Sequence, residues 1–310
     1  MTHMSRLTVL RWGRAEYELG PLTGLPDGVR VVDTLGEERD PLEEADVVVV
    51  PSVRPVRAEH VSRLTRCRLV LTSTSGFDHV DVTALLAAGI PCARLPLARR
   101  DAVVETALGM MLALGRRFGD YRVGAEAGAW DRDQLPRIGA HLLGTVGVIG
   151  CGVIGARMVQ VVRALGARVL VCDPALSDTI PLDPLLGQAD VVTLHCELTP
   201  DTRGMIGPRA IAAMRPGAIL VNTARGKLVD VDSALLAVRA DHLGGLGLDV
   251  YPTEPTSLAR YTHPRIIVSP HAAGWFPGLG AAIADGVREA VVALLEGRPV
   301  PYRVTAPAVP

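Results

Sequence analysis

The sequence predicts an α/β chain of two doubly wound parallel sheets, on three observations. Short β-branched runs alternate with stretches of helical spacing, the alternation begins afresh near residue 145, and that second series opens with a glycine-rich turn between a strand and a helix.

The chain has 310 residues, 48% of them hydrophobic and 21% charged, which is ample for a large core and for two domains. With 32 basic against 33 acidic residues, no global field draws it to nucleic acid or to an anionic membrane, so a small molecule is the expected partner. Its longest apolar runs, such as 45–50, are strand-sized and far short of the roughly 20 residues a membrane helix needs. No signal-peptide pattern opens the sequence. Cys67, Cys92, Cys151, Cys172 and Cys196 contain no CxxC pair, and three lie in or beside expected strands. They read as reduced core residues of a cytoplasmic protein, with no metal role.

In the first hundred residues, strands are expected over 29–33, 45–50, 69–73 and 90–93, with helices over 58–67 and 82–88. Residues 101–117 form a long helical stretch that begins acidic and ends basic, as the helix dipole prefers. It is more apolar than one face requires, which places it between layers or between subunits. Residues 119–141 read as a loop. The second series has strands over 145–149, 168–172, 191–195, 218–222, 246–250 and 266–269. A helical tail, 278–297, is expected to return to the first domain. The domains are then 1–100 plus 277–310, and 101–276.

The strand at 145–149 runs straight into Gly150-Cys151-Gly152-Val153-Ile154-Gly155 and then a helix. This is G-x-G-x-x-G in its meaningful context and marks a Rossmann-like dinucleotide site. Gly150 permits the tight turn, Gly152 lets the backbone approach a pyrophosphate, and Gly155 lets helix and strand pack closely. The phosphates would lie on amides at the helix N-terminus. The next strand ends in Asp173, 18 residues beyond Gly155. A carboxylate there can accept both ribose hydroxyls and would repel a 2′-phosphate, so NAD (NADH) is expected over NADP. His195, Thr202, Thr223, Ala224 and Gly274 complete the expected cofactor set with Cys151, Val153 and Ile154.

Three further strand ends carry polar residues that folding alone does not require: Arg225, Glu254 and His271. All would emerge at the carboxyl edge of one sheet, where ligands bind in open α/β folds. Reducing a 2-keto acid needs a fixed cation for carboxylate or carbonyl oxygens, a proton donor for the carbonyl oxygen, and a group that keeps the donor charged and aimed. Arg225 suits the first role, His271 the second as general acid or base, and Glu254 the third.

These motifs resemble the D-isomer-specific 2-hydroxyacid dehydrogenase family over about 29–297. The specific pieces are Gly150 to Gly155, Asn222-Thr223-Ala224-Arg225-Gly226, Asp249-Val250 with Glu254-Pro255, and Ser269-Pro270-His271. The resemblance implies that Arg225, Glu254 and His271 are the catalytic set and that Asp249 lies near the nicotinamide. It implies that residues 73–81 form the substrate loop, with Ser75 and Gly76 offering amides to the substrate carboxylate, and that Val103-Val104-Glu105 opens an interdomain helix. It also implies a homodimer joined through the nucleotide domains.

Arg99 departs from the pattern, standing where the family often has Asn, and Arg100 and Asp101 follow. Arg54 is the nearest basic residue to Pro51, where relatives acting on phosphorylated substrates often carry one. Either Arg54, Arg99 and Arg100 are solvated surface charges, or Arg99, with Ser52 and Arg54, binds a second anionic group on a dianionic substrate. Cys196 and Glu197 depart from the pattern near the adenine side, and Glu197 adds weight to NAD. A phosphite-type dehydrogenase and a non-catalytic NAD-sensing protein are the alternatives on this scaffold, while Glu254 argues against a formate enzyme, which typically has Gln there. With three Phe, five Tyr and three Trp, a small polar pocket is expected, Trp275 and Phe276 aside.

Overall fold

A computed structural model describes residues 7–13, 21–34, 40–130 and 144–305. The chain forms two compact units, Met1–Arg99 with Trp275–Pro310, and Arg100–Gly274. In chain order the elements are β1 (Leu7–Trp12), β2 (Val29–Thr34), β3 (Val47–Val50), α1 (Ala58–Val61), β4 (Leu69–Thr72), α2 (Val82–Ala87), β5 (Cys92–Arg94) and α3 (Leu97–Gly115). There follow α4 (Phe118–Glu126), β6 (Thr145–Ile149), α5 (Val153–Ala164), β7 (Arg168–Cys172), α6 (Leu182–Gln188) and β8 (Val191–Leu194). The remainder is α7 (Pro208–Ala213), β9 (Ala218–Asn222), α8 (Val231–Arg239), β10 (Leu243–Leu248), β11 (Ile266–Val268), α9 (Leu279–Leu295) and β12 (Arg303–Val304). None of the described helices is long and apolar enough to cross a membrane.

In the first unit the strand order is β12, β5, β4, β3, β1, β2. Alternate residues of the central strands serve opposite faces, as the period of two requires. Val9, Val47, Val49, Leu69 and Leu71 pack with Ile283, Val287 and Val291 of α9. Leu10, Val48, Val50 and Val70 pack with Val61, Leu64 and Leu85. A sheet buried on both faces reads as continuous apolar runs, and that pattern made β3 and β4 legible.

Three features differ from the sequence reading. Strand β1 was not expected, because Thr8 and Arg11 interrupt its apolar run. Arg11 lies opposite Asp33 in the register of β1 with β2 and is ion-paired to it, which resolves the buried charge. Helix α1 ends at Val61 rather than 67, because the Arg63 and Leu64 amides turn back to carbonyls three residues earlier, at His60 and Val61. The short β12 pairs antiparallel with β5, so this sheet is not wholly parallel.

The second sheet has the order β11, β10, β9, β8, β6, β7, with every pair parallel. Its strand order reverses between β6 and β8, the switch point at which open α/β sheets bind ligands. Val146, Val148, Val191, Ile219 and Val221 face α3 and α5, while Val192, Leu194, Leu220, Leu246 and Leu248 face the opposite layer. The glycines of β10 have a packing reason: a Cβ at Gly245 or Gly247 would come within 3.1 Å of Leu114 or Met110 of α3.

The expected loop over 119–141 is in part a helix, α4. Arg117 takes a left-handed conformation, φ 59°, which ends α3 and redirects the chain. At Gly119 a Cβ would lie 1.8 Å from the Pro264 carbonyl oxygen, so glycine is needed there for close packing, not for a loop. No residue of α4 is buried, and Phe118, Tyr121 and Val123 are exposed. Residues 131–141 of that expected loop lie outside the described residues.

Candidate active site

Strands β9, β10 and β11 are neighbours, with Asn222 opposite Leu248 and Leu248 opposite Val268. The segments carrying Arg225, Glu254 and His271 therefore leave one sheet edge side by side. The turn before Arg225 is built by buried Asn222, whose Oδ1 accepts from the Ala224 amide at 3.0 Å and whose Nδ2 donates to the Arg225 carbonyl at 2.8 Å. A Cβ at Gly226 would lie 1.9 Å from the backbone of Tyr251. Glycine at that position lets the Arg225 turn close against the loop after β10. The Arg225 guanidinium donates to the Ala224 carbonyl at 2.7 Å.

His271 Nδ1 lies 2.6 Å from Glu254 Oε2, and Glu254 Oε1 accepts from the Tyr251 amide at 2.7 Å. An ionised carboxylate only accepts, so Nδ1 carries the hydrogen, and Nε2 is the ring nitrogen that can exchange a proton. Burial pushes the Glu254 carboxyl up, but the hydrogen bonds from His271 and the Tyr251 amide, with the charges of His271 and Arg225, outweigh it and hold the group below its ordinary range.

The His271 segment is fixed from below by Asp249, which is 1% exposed. Asp249 Oδ1 accepts from Ser269 Oγ at 2.6 Å, from the Ala272 amide at 2.8 Å and from the Ala273 amide at 3.1 Å. Tyr251 adds a hydrogen bond from its hydroxyl to the Ser269 carbonyl at 2.9 Å. Asp249, expected among the cofactor residues, is thus bound up in holding the loop that bears His271. Gly274 follows that loop directly.

The glycine turn lies where β6 meets α5, next to β8. Gly150 has φ +85°, and a Cβ there would strike the Cys196 amide nitrogen at 2.4 Å; at Gly155 it would strike the Gly150 carbonyl oxygen at 2.0 Å. Gly152 differs. Its φ of −68° suits any residue, and a Cβ would meet no atom within 4 Å. Neither backbone nor packing asks for glycine at 152, and the space beside it is open to a close ligand. The Thr223 hydroxyl, buried without a partner, is a second feature that a ligand would satisfy. Together these features fit a dinucleotide. Asp173 at the end of β7 accepts from the Cys151 amide at 2.6 Å and the Ala175 amide at 2.9 Å, so it also closes the turn.

Two residues expected at the cofactor have internal work. Thr202 accepts from the Thr199 amide at 2.7 Å and donates to the Glu197 carbonyl at 2.7 Å, closing the turn after β8. His195 shares a hydrogen bond with the buried Thr193 hydroxyl at 3.0 Å, and burial pushes its imidazole down to about 4, leaving it neutral near pH 7. Burial likewise raises the thiols, to about 11 for Cys67 and about 12 for Cys92 and Cys196, and all five cysteines are free.

In the first unit, Ser52 follows β3, and Ser75 and Gly76 follow the adjacent β4, at the carboxyl edge of that sheet. The basic trio separates. Arg54 lies over the Trp12 ring at 4.5 Å and faces Asp40 at 3.5 Å. Arg100 pairs with Asp101 at 2.7 Å. Arg99 is only 7% exposed and donates from Nε to the Ser73 carbonyl at 3.4 Å, so it is not a solvated surface charge.

Sequence reasoning passed over Asn222 as a functional residue and did not foresee the supporting roles of Ser269 and Tyr251. Asn222 sits inside the quoted motif, and its place at the end of an apolar strand just before Arg225 was the available signal.

Residues 108–273 match the domain described as D-isomer specific 2-hydroxyacid dehydrogenase, NAD binding domain. The chain is 34% identical to D-3-phosphoglycerate dehydrogenase of Mycobacterium tuberculosis over 93% of its own length, and spans 57% of that relative's. It is 33% identical to glycerate dehydrogenase of Methylorubrum extorquens, covering 83% of this chain and 85% of the relative. The solved D-lactate dehydrogenase of Aquifex aeolicus, complexed with NAD and lactic acid, superposes with a TM-score of 0.78 at 26% identity, covering 94% of this chain and 96% of that one.

Proposed function

Because the chain belongs to the D-isomer specific 2-hydroxyacid dehydrogenase family, we propose that it is an NAD-dependent oxidoreductase that interconverts a small 2-keto acid and its 2-hydroxy acid. The observation that carries this reading is the 2.6 Å pairing of His271 with Glu254 beside the Arg225 turn. Bound NADH would supply the hydride for C2. Arg225 holds the carboxylate and carbonyl oxygens and stabilises charge developing on the latter. His271 gives its Nε2 proton to that oxygen in reduction and removes it in oxidation, and Glu254 fixes the ring and stabilises the imidazolium.

Within this reading the cofactor is assigned to Gly150, Cys151, Gly152, Val153, Ile154, Gly155, Asp173, Thr223, Ala224 and Gly274, with His195, Thr202 and Asp249 shaping the surrounding loops. The carboxylate is assigned to the amides of Ser75 and Gly76 as well as to Arg225. Arg54, Arg99 and Arg100 each have a partner within the protein, which favours a substrate with one anionic group, such as a three-carbon hydroxy acid, over a dianionic one. Exposed Phe118, Tyr121 and Val123 support assembly of the NAD-binding units into a homodimer. The free cysteines accord with a cytoplasmic setting.

The test is NADH oxidation over glyoxylate, pyruvate, hydroxypyruvate, branched and aromatic keto acids, oxaloacetate and phosphonopyruvate. Turnover is expected for small monoanionic keto acids. NAD binding with no turnover across the panel would overturn the enzymatic reading in favour of a nicotinamide-sensing protein.

A further inference from the structure

In the loop after β4, four consecutive carbonyls are hydrogen-bonded within the protein. The Ser73 carbonyl accepts from Arg99 Nε at 3.4 Å, that of Thr74 from the Leu95 amide at 3.3 Å, that of Ser75 from Arg94 Nη1 at 3.1 Å and that of Gly76 from the Thr74 hydroxyl at 2.6 Å. Among the described residues, the amides of Thr74, Ser75, Gly76 and Phe77 donate to no acceptor. The Ser75 hydroxyl is buried without a partner. Four consecutive carbonyls are thus satisfied within the protein, while the amides from Thr74 to Phe77 are left as donors for an anion.

We infer that Arg94 and Arg99 are positioning residues for substrate binding: they hold the Ser75 and Ser73 carbonyls back so that the loop amides face the substrate carboxylate. This rests on the reading that the loop binds that carboxylate. A guanidinium donating to a carbonyl is a charge-assisted bond, and its positive charge polarises the peptide so that the attached amide becomes a stronger donor to an anion. Neither arginine needs to touch substrate for this, which gives Arg99 a role other than binding a second anion. Arg94 is also placed by Phe77, whose ring lies 5.6 Å from the guanidinium carbon. Its side chain borders a cavity of about 530 Å³ shared with Leu95, Ala98, Arg288, Arg298 and Tyr302. Truncating Arg94 therefore opens a guanidinium-sized gap onto existing space.

The experiment is Arg94→Ala with chemical rescue. Losing a charge-assisted bond to the loop should raise KM for the best keto acid about tenfold or more while kcat and the Kd for NADH stay within about twofold. Added guanidinium chloride, compared with the same concentration of sodium chloride, should lower that KM again. If Arg94→Ala does not fold, Arg94→Lys, which keeps the charge without the planar fork, should raise KM with kcat kept. A KM at the wild-type value in whichever variant folds, a fall in kcat equal to the rise in KM, or a raised KM of Arg94→Ala that guanidinium leaves in place overturns the inference. A wild-type protein inert toward every keto acid defeats the underlying reading, and the inference with it.

Discussion

Asp249 holds His271 in a left-handed backbone conformation. The His271 amide donates to the Asp249 carbonyl at 2.8 Å, while the Asp249 carboxylate takes the next two amides and the Ser269 hydroxyl, and His271 sits at φ 55°. A residue other than glycine at that angle costs about 1–3 kcal/mol, so the conformation persists only because its surroundings over-determine it. Replacing the acceptor-only carboxylate by an amide, Asp249→Asn, sets an N–H₂ against the Ala273 amide, which Oδ2 shares with Oδ1. We expect a loss of about 1–3 kcal/mol in stability together with a fall in kcat of at least about tenfold, read by urea unfolding and NADH oxidation. Ser269→Ala removes one donor of the set and should cost less on both readings. If Asp249→Asn lowered stability while leaving kcat unchanged, the carboxylate would be structural only.

The roles of His271 and Glu254 separate by substitution. His271→Ala should lower kcat by about 10²–10⁴-fold with little change in NADH affinity, measured by fluorescence titration. Glu254→Gln retains an acceptor for the Tyr251 amide but loses the charge facing His271, so an intermediate loss is expected. The Glu254 carboxyl is held below its ordinary value of 4.5. The pair thus contributes stability that is full above that pH and is lost as pH falls through the lower folded value. Wild-type kcat near that of His271→Ala would remove the histidine from the mechanism.

These predictions rest on parts of the molecule that differ in how far the sequence shows them. Arg225, Glu254 and His271 are legible because each follows an apolar run at a strand end, and their chemistry forms a set. The second sheet is legible for the same reason that its strands are buried on both faces. Its strand order is not, since pairing of β6 with β8 depends on contacts between distant segments. Asp249 reads as a cofactor residue in sequence; that its lone pairs serve Ser269, Ala272 and Ala273 depends on how the β11 loop folds back. Strand β1 hides because Arg11 finds its counter-ion only across the register, at Asp33. Arg99 looks like a surface charge next to Arg100, and only the path of the Ser73 loop shows that it is buried.

His195 makes the stability depend on pH. Burial pushes its imidazole down to about 4 from an ordinary 6.5, so between those values the unfolded chain binds a proton that the folded one refuses. Stability should therefore fall as pH drops from about 6.5 toward 4, with the contribution complete below the lower value. His195→Gln, which can keep a hydrogen bond to Thr193, should flatten this slope. Urea unfolding of both proteins at several pH values checks it, and parallel slopes would show that His195 titrates normally.

Gly152 and Gly155 should respond to alanine in opposite ways, although both belong to the same motif. At 155 the new Cβ meets the Gly150 carbonyl oxygen at 2.0 Å, a clash with backbone that must push α5 away from β6. Gly155→Ala should then lower Tm and weaken NAD binding through the fold itself. At 152 the Cβ enters open space and the backbone angle suits alanine, so stability should change by less than about 1 kcal/mol, the scale of an N-cap substitution. Yet a methyl group there stands where the pyrophosphate must approach, and NAD affinity should fall by about tenfold or more. Thermal unfolding with and without NAD separates the two: Gly152→Ala should keep the wild-type Tm alone and lose the upward shift that NAD gives. If it kept that shift, the free space at Gly152 would not be where the phosphates lie.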